Sequence, residues 1–474
     1  MIRTTLGAVA LFATISIATP AMAQSQQEQL DARYDRALAA GYKALFLCSA
    51  IANAEANGTA RTPESVHEWE LTGIQAPLDD IVRDLPYSVD RLATGEVVST
   101  KVTYADDMPP RYAVHREGRG CVIMPIGTTI DGVGAEYVIW ALDDDARAAK
   151  RQQLQAGRSR PDPMASDWAE KRVDVSAAFT GKYGEGRTTI VTVLNNGKLA
   201  GEQYADGFFA NTPQRTWSVA KSIAATLVGA AVYRGEAEPD ASAGLGVNEA
   251  DPRRAITIDH ALRMASGRYS DTRGNRTDPL YWGGTTVDQR AQNWPLIHTP
   301  GTVYRYANND TLAAVKAIEG IFAEHSPANF FAKIGMHHTV AETDWQGNYV
   351  LSSQVWSTAR DLAKLGQLYL NDGVLPNGER VLPKNWRDYV STPSGPQPQG
   401  TEWGYGAGWW TFKRPEGNAF EGIPDDAFAA RGNRGQYIVI VPSRNVVIVR
   451  RGEDMVGTRF DIAAFTRDVL AALD

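Results

Sequence analysis

The sequence predicts an α+β fold: an antiparallel sheet flanked by helices with a helical subdomain, preceded by a small N-terminal α+β domain. Three observations carry this. A β-branched run, Thr188 to Leu194, meets the turn signal Asn195-Asn196-Gly197-Lys198 and a second run from Leu199 to Tyr204, which together read as a hairpin. Helical periodicity then dominates at 218–234, 259–265, 311–324 and 357–370. Strands return from Tyr437 to Pro442 and from Val446 to Arg450, and an amphipathic helix closes the chain over 460–473.

The elements before the hairpin follow in order. Arg3 precedes an apolar run, Leu6 to Ala18, and the small-residue end Pro20-Ala21-Met22-Ala23-Gln24. This is the pattern of a secretory signal over residues 1–23, cut after Ala23. No Cys follows the cut and no later stretch reads as a spanning helix, so the expected location is periplasmic or secreted. Residues 24–165 form an N-terminal domain and linker of unread role. Residues 27–56 are Ala- and Leu-rich and read as one or two helices, and 97–104 and 134–141 read as strands. Asp143-Asp144-Asp145 opens a polar stretch ending in Arg158-Ser159-Arg160-Pro161-Asp162-Pro163, which marks the boundary to a second domain over 166–474. The triple Asp reads as a solvated turn, because no neighbouring ligand pattern accompanies it. Cys48 and Cys121 are the only cysteines. Export allows them to bridge, and burial as two free thiols is the alternative.

Composition excludes several classes. The chain has 474 residues, 43% apolar and 22% charged, which is globular rather than disordered. Its 48 basic and 55 acidic residues give a net charge of -7, and no basic arm suggests nucleic acid. Two cysteines cannot build a four-Cys zinc site. No P-loop, dinucleotide fingerprint or His-Glu-x-x-His is present, and His337-His338 reads as a structural pair. No metal or cofactor is expected. The absence of a Gly-x-Ser-x-Gly elbow gives no sign of a hydrolase with a His base. The expected partner is a small-molecule or peptide substrate; the oligomeric state is unread.

Three constellations carry chemistry. Thr216-Trp217-Ser218-Val219-Ala220-Lys221 opens the apolar helix that continues through Ala230. Ser218 falls in the first turn and Lys221 three residues on, over the same face. A buried lysine has a lowered pKa and can take the proton that makes a serine nucleophilic. Trp217, beside that serine, is a candidate wall of the substrate cleft. Next, Pro300-Gly301 leads to Tyr306-Ala307-Asn308 on a short loop. A tyrosine between cations can have its pKa lowered and act as a base. Last, Arg431-Gly432-Asn433-Arg434-Gly435-Gln436 directly precedes a hydrophobic strand whose edge can approach a substrate closely and supply an oxyanion N–H.

In this order the three motifs resemble the serine β-lactamase and penicillin-binding-protein superfamily, nearest to its class C-like branch with esterases, D-aminopeptidases and 6-aminohexanoate-dimer hydrolases. The resemblance runs from about Trp168 to the C-terminus and includes Asp259 to Gly267, Ser357 to Gly366 and Gly404 to Trp410. It implies a β-lactamase/transpeptidase-like fold and covalent acyl transfer. Ser218 would become acylated, and Lys221 and Tyr306 would share the proton traffic, with Tyr306 activating the deacylating water. The N–H groups of Ser218 and Gln436 would hold the oxyanion, and Asn308 would bond the substrate or Lys221. The third motif is placed at Asn433, Arg434 and Gly435, with Asn433 where β-lactamases carry a carboxylate-binding Lys. That departure favours ester or amide hydrolysis over β-lactam turnover. The alternative is a penicillin-binding-like module that acylates slowly, or that senses a ligand without catalysis.

Overall fold

The structure, a computed structural model, describes residues 25–93, 95–129, 131, 167–270 and 278–474. The leader, the 134–141 strand and the acidic triplet lie outside the described residues.

Ser25 caps α1 (Gln26–Ala56): its hydroxyl accepts from the Glu28 N–H, and the Glu28 carboxylate accepts from the Ser25 N–H. The Ala- and Leu-rich stretch is one helix. It is long and apolar enough to cross a membrane, yet its most apolar 18 residues are buried inside the protein, and its first turns are exposed. Gly41 lets it back directly onto the chain that follows, since a Cβ there would stand 2.0 Å from the Trp282 carbonyl oxygen. Four strands, β1 (Tyr87–Arg91), β2 (Val97–Val102), β3 (Arg111–Arg116) and β4 (Gly120–Ile123), form an antiparallel sheet in that order against α1. A disulfide joins Cys48 of α1 to Cys121 of β4. It closes the alternative of two free thiols.

The larger part is a seven-stranded antiparallel sheet. Its strands are β5 (Thr188–Asn195), β6 (Lys198–Tyr204), β7 (Gly404–Tyr405), β8 (Trp410–Thr411), β9 (Phe428–Gly432), β10 (Gln436–Val441) and β11 (Val446–Gly452). Their order is β7-β8-β9-β10-β11-β5-β6. Both faces are covered. Helices α2 (Val219–Tyr233), α3 (Asn308–Ile318) and α4 (Ala359–Leu370) share the core on one side, and α5 (Ile462–Ala472) lies on the other. Alternation along β10 shows why the strand is apolar from Tyr437 on: Ile438 and Ile440 join the α2 side, and Tyr437, Val439 and Val441 the α5 side.

The two parts share one apolar core. Ala37 to Ala52 of α1 pack with Trp217, Tyr281, Trp282, Leu312 and Trp356. Polar groups stitch the same seam. The buried Arg111 guanidinium donates to the carbonyls of Ala37 at 2.6 Å and Trp282 at 2.8 Å. The buried Glu342 carboxylate accepts from Ser49 Oγ at 2.6 Å and from the Cys121 N–H at 2.9 Å. Burial pushes the Glu342 carboxyl up to about 7, more than these two donors pull it down.

Candidate active site

Ser218 stands at the mouth of α2, and its hydroxyl makes no capping bond. Lys221, one turn on, is 1% exposed. Its Nζ lies 3.0 Å from Ser218 Oγ, 2.6 Å from Asn308 Oδ1 and 2.8 Å from the Ser352 carbonyl oxygen. Among the described residues no carboxylate bonds this amine, and desolvation holds its pKa well below the ordinary 10.5. A neutral amine has two N–H bonds and one lone pair. In that neutral form Asn308 and Ser352 would take the two donors, and the lone pair would face the Ser218 hydroxyl. Asn308 is the first residue of α3 and is itself buried, so α2 and α3 together fix the amine.

Tyr306 brings its ring over this amine, with Lys221 Nζ 4.9 Å from the ring centroid. Tyr405 meets the ring edge-on at 6.0 Å and Trp410 lies tilted at 5.5 Å. The phenol is held well above its usual value. Desolvation is the largest cause, and it outweighs the Ser218 hydroxyl and the Arg431 charge, which pull the other way. The expectation of a lowered Tyr306 pKa is therefore reversed. Burial among aromatic rings outweighs both. Tyr304, two residues earlier, packs on Tyr405 at 5.4 Å, and its hydroxyl is buried with no hydrogen-bond partner.

The third motif sits in a different register from the one the sequence suggested. Gly432 is the glycine that meets the nucleophile: a Cβ there would lie 2.4 Å from the Thr216 carbonyl oxygen and 3.2 Å from the Ser218 nitrogen. Asn433, Arg434 and Gly435 form the turn between Gly432 and Gln436, which pair across β9 and β10. Arg434 has φ +57° and is locked to Glu453 at 2.7 Å and to the Trp69 carbonyl at 2.7 Å. Gly435 is buried behind the turn, against Arg450 and Asp454. Gln436 lies on an inner strand. Its side chain accepts from Arg451 Nε at 2.6 Å and donates to the carbonyls of Arg434 and Gly452.

The edge that faces Ser218 therefore belongs to β9. Beyond Ala429 its outer side is no longer paired with β8. The Ala427 carbonyl accepts from the Phe412 N–H on that side, and alternate residues of the strand turn the same way, so Arg431 presents its backbone groups to the opening. Asn433 follows Gly432 directly in the turn and is exposed, whereas Gly435 and Gln436 are buried away from Ser218. The Arg431 side chain crosses to the other face, 4.2 Å from the Trp403 ring centroid and 4.9 Å from that of Trp410.

Trp217 is 6% exposed and packs into the core behind Ser218, so it does not wall the cleft; Trp410 is the tryptophan that packs on Tyr306. Sequence reading also missed Ser352, whose carbonyl receives Lys221, and Tyr281, whose hydroxyl lies 2.6 Å from Ser352 Oγ. Neither stands in a spaced motif. Among the described residues, no group of three or more His, Cys, Asp or Glu is placed to hold a metal ion.

A half-buried serine paired with a buried lysine at a helix mouth, a tyrosine over them and an open strand edge beside them define a member of the β-lactamase/transpeptidase-like superfamily. The family model described as Beta-lactamase matches residues 175–473, and the chain belongs to that family. A 6-aminohexanoate-dimer hydrolase from Paenarthrobacter ureafaciens is 26% identical over 333 residues, which is 62% of this chain and 81% of that protein. Two solved structures share the fold. One, provisionally assigned as a 6-aminohexanoate-dimer hydrolase from Bacillus anthracis, has a TM-score of 0.51 at 20% identity, over 64% of this chain and 82% of its own. The other, assigned in the same way as a β-lactamase from Bacteroides dorei, has a TM-score of 0.52 at 19% identity, over 63% of this chain and 97% of its own.

Proposed function

We propose that this protein is an exported serine hydrolase that cleaves an ester or amide bond of a small molecule or short peptide through a covalent acyl-enzyme. The observation that carries it is the buried Lys221 amine 3.0 Å from Ser218 Oγ, with no carboxylate to keep it charged. Ser218 Oγ attacks the carbonyl carbon and its proton passes to Lys221 Nζ. The N–H groups of Ser218 and Asn433 hold the oxyanion. Collapse expels the alcohol or amine, which takes a proton from the Tyr306 phenol, and Tyr306 regains one from the Lys221 ammonium. Water then attacks the acyl group, giving its proton to the same pair, and the acid leaves as Ser218 recovers its hydrogen. Tyr306 therefore works as a proton relay that stays protonated between turnovers, in place of a resting phenolate. The Cys48–Cys121 disulfide supports export, since such bonds persist in oxidising compartments.

Ester and amide substrates are favoured over β-lactams for a reason that survives the change of register. On the face of β9 that meets the nucleophile, the residue before Gly432 is Ala430, fully buried and apolar, so no cation stands there for a carboxylate. The relative named for a dimer of an amino acid points the same way. Expected kcat/KM is higher on p-nitrophenyl acetate or butyrate than on nitrocefin. Nitrocefin turnover exceeding both esters overturns the preference, and a stoichiometric burst without turnover on every substrate assigns a slow acylating module instead.

The tyrosines give a paired test. Tyr306→Phe keeps the ring's packing and removes the relay, so kcat falls by about 10²–10⁴-fold. Tyr304→Phe removes a hydroxyl that bonds nothing and leaves kcat close to the parent value. Reversal of the two effects would place the relay on Tyr304.

A further inference from the structure

We infer that the N-terminal region is a working part of this catalytic site, and that Phe46 of α1 is a positioning residue for Ser218 acting through Arg215 and Trp217. The inference rests on the Ser218 reading above. Trp217 has φ +50°, the left-handed region that a bulky L-residue adopts only when its surroundings impose it. It is the residue directly before the nucleophile, so its backbone sets where Ser218 Oγ points. Among the described residues no hydrogen bond holds its indole, because the buried Nε1 finds no partner there. What holds it is the Arg215 guanidinium, 4.4 Å from its ring centroid.

Arg215 is fully buried and desolvated, with its pKa brought down to about 10, and among the described residues no carboxylate bonds it. It lies among four rings instead: Trp217, Trp282 at 4.9 Å, Phe46 at 5.1 Å and Tyr281 at 5.4 Å. It also donates to Ser353 Oγ at 2.9 Å, next to the Ser352 carbonyl that receives Lys221. One cation thus braces both the residue before Ser218 and the turn that fixes Lys221. Phe46 is the ring of this cage supplied from outside the 175–473 family match, and it also touches Trp217 at 5.8 Å and Trp282 at 6.2 Å. Without its π face the cation is free to shift, and the Ser–Lys geometry shifts with it.

The test uses the full mature chain with Phe46→Ala, Phe46→Leu and Phe46→Tyr. Val102→Ala, a core residue of β2 outside the ring cage, is the stability control. The readouts are kcat and KM on a p-nitrophenyl ester, the rate of fluorophosphonate labelling, and the folded fraction by circular dichroism. Phe46→Leu keeps apolar bulk but loses the ring. It is expected to lower kcat and labelling by about 10- to 100-fold with KM little changed, the scale of a misplaced reacting group. Phe46→Tyr keeps the ring and is expected to restore both. Should Phe46→Ala not fold, Phe46→Leu decides. Parent-like kcat and labelling in Phe46→Leu overturn the inference. So does a loss that only follows the folded fraction, in step with Val102→Ala. Labelling that persists in Ser218→Ala is a separate failure, of the nucleophile assignment itself.

Discussion

Ser218→Ala is expected to abolish both turnover and fluorophosphonate labelling while the fold, by circular dichroism and melting temperature, stays intact. The variant loses one oxygen from a half-buried position whose hydroxyl caps nothing, so no helix-start bond is lost with it. The chemical loss is total in kind: Lys221 then has no hydroxyl proton to accept, and no other serine among the motifs has a lysine one turn on over an apolar helix. Residual hydrolysis by water positioned at the oxyanion site is the most that remains. Undiminished activity in this variant sinks the acyl-enzyme mechanism.

Lys221→Met is expected to lower kcat by about 10²–10⁴-fold, because the proton acceptor goes while much of the side-chain volume stays. Its pH behaviour separates this from general damage. In the parent enzyme, protonated Lys221 cannot accept from Ser218, so kcat/KM falls on the acid side as the amine takes up a proton. That limb is absent from the residual activity of Lys221→Met. Stability gives an independent readout. The folded-state pKa of Lys221 is lowered from 10.5, so between that lowered value and 10.5 the unfolded chain binds more protons than the folded one. Stability of the parent therefore rises with pH across this window through Lys221, and the rise stops once pH passes 10.5. Lys221→Met removes that contribution to the slope. A slope and an acid limb both unchanged in the variant mean that the lysine is charged in the native site and is not the base.

The Ser218–Lys221 pair was legible because its relation is local. A helix places residues three apart on one face, and an apolar helix tells that the face is buried. Tyr306 and Asn308 were legible for a similar reason, since a Pro-Gly turn and a helix start bracket them. The third motif was not local in this sense. The run Gly432-Asn433-Arg434-Gly435 offers two glycines before one strand, and only the approach of Thr216 and Ser218 to Gly432 chooses between them. The left-handed Arg434, held by Glu453, then completes the turn. The Tyr306 shift was misread because it depends on Tyr405 and Trp410, far along the chain. Ser352 and Tyr281 carried no signal, since a backbone carbonyl acceptor has no residue preference. The role of α1 was unreadable for the same reason: its partners Trp217 and Trp282 are fixed by packing, with no spacing to record it.

The close approach at Gly41 sets two scales of selection against each other. Judged as a helix alone, alanine at that position is the better residue by about 1 kcal/mol, and a survey of helix propensity would recommend it. Judged in the molecule, one added methyl would press on the Trp282 carbonyl and on the Arg111 guanidinium, 2.8 Å away, that ties the helix down. Neither the peptide nor a buried arginine yields cheaply. The helix would retreat, and Phe46, little more than a turn further along it, would retreat as well. Tolerance to substitution in α1 is thus governed by a single missing carbon, and the segment that looks most generic in the sequence is among the least free to drift.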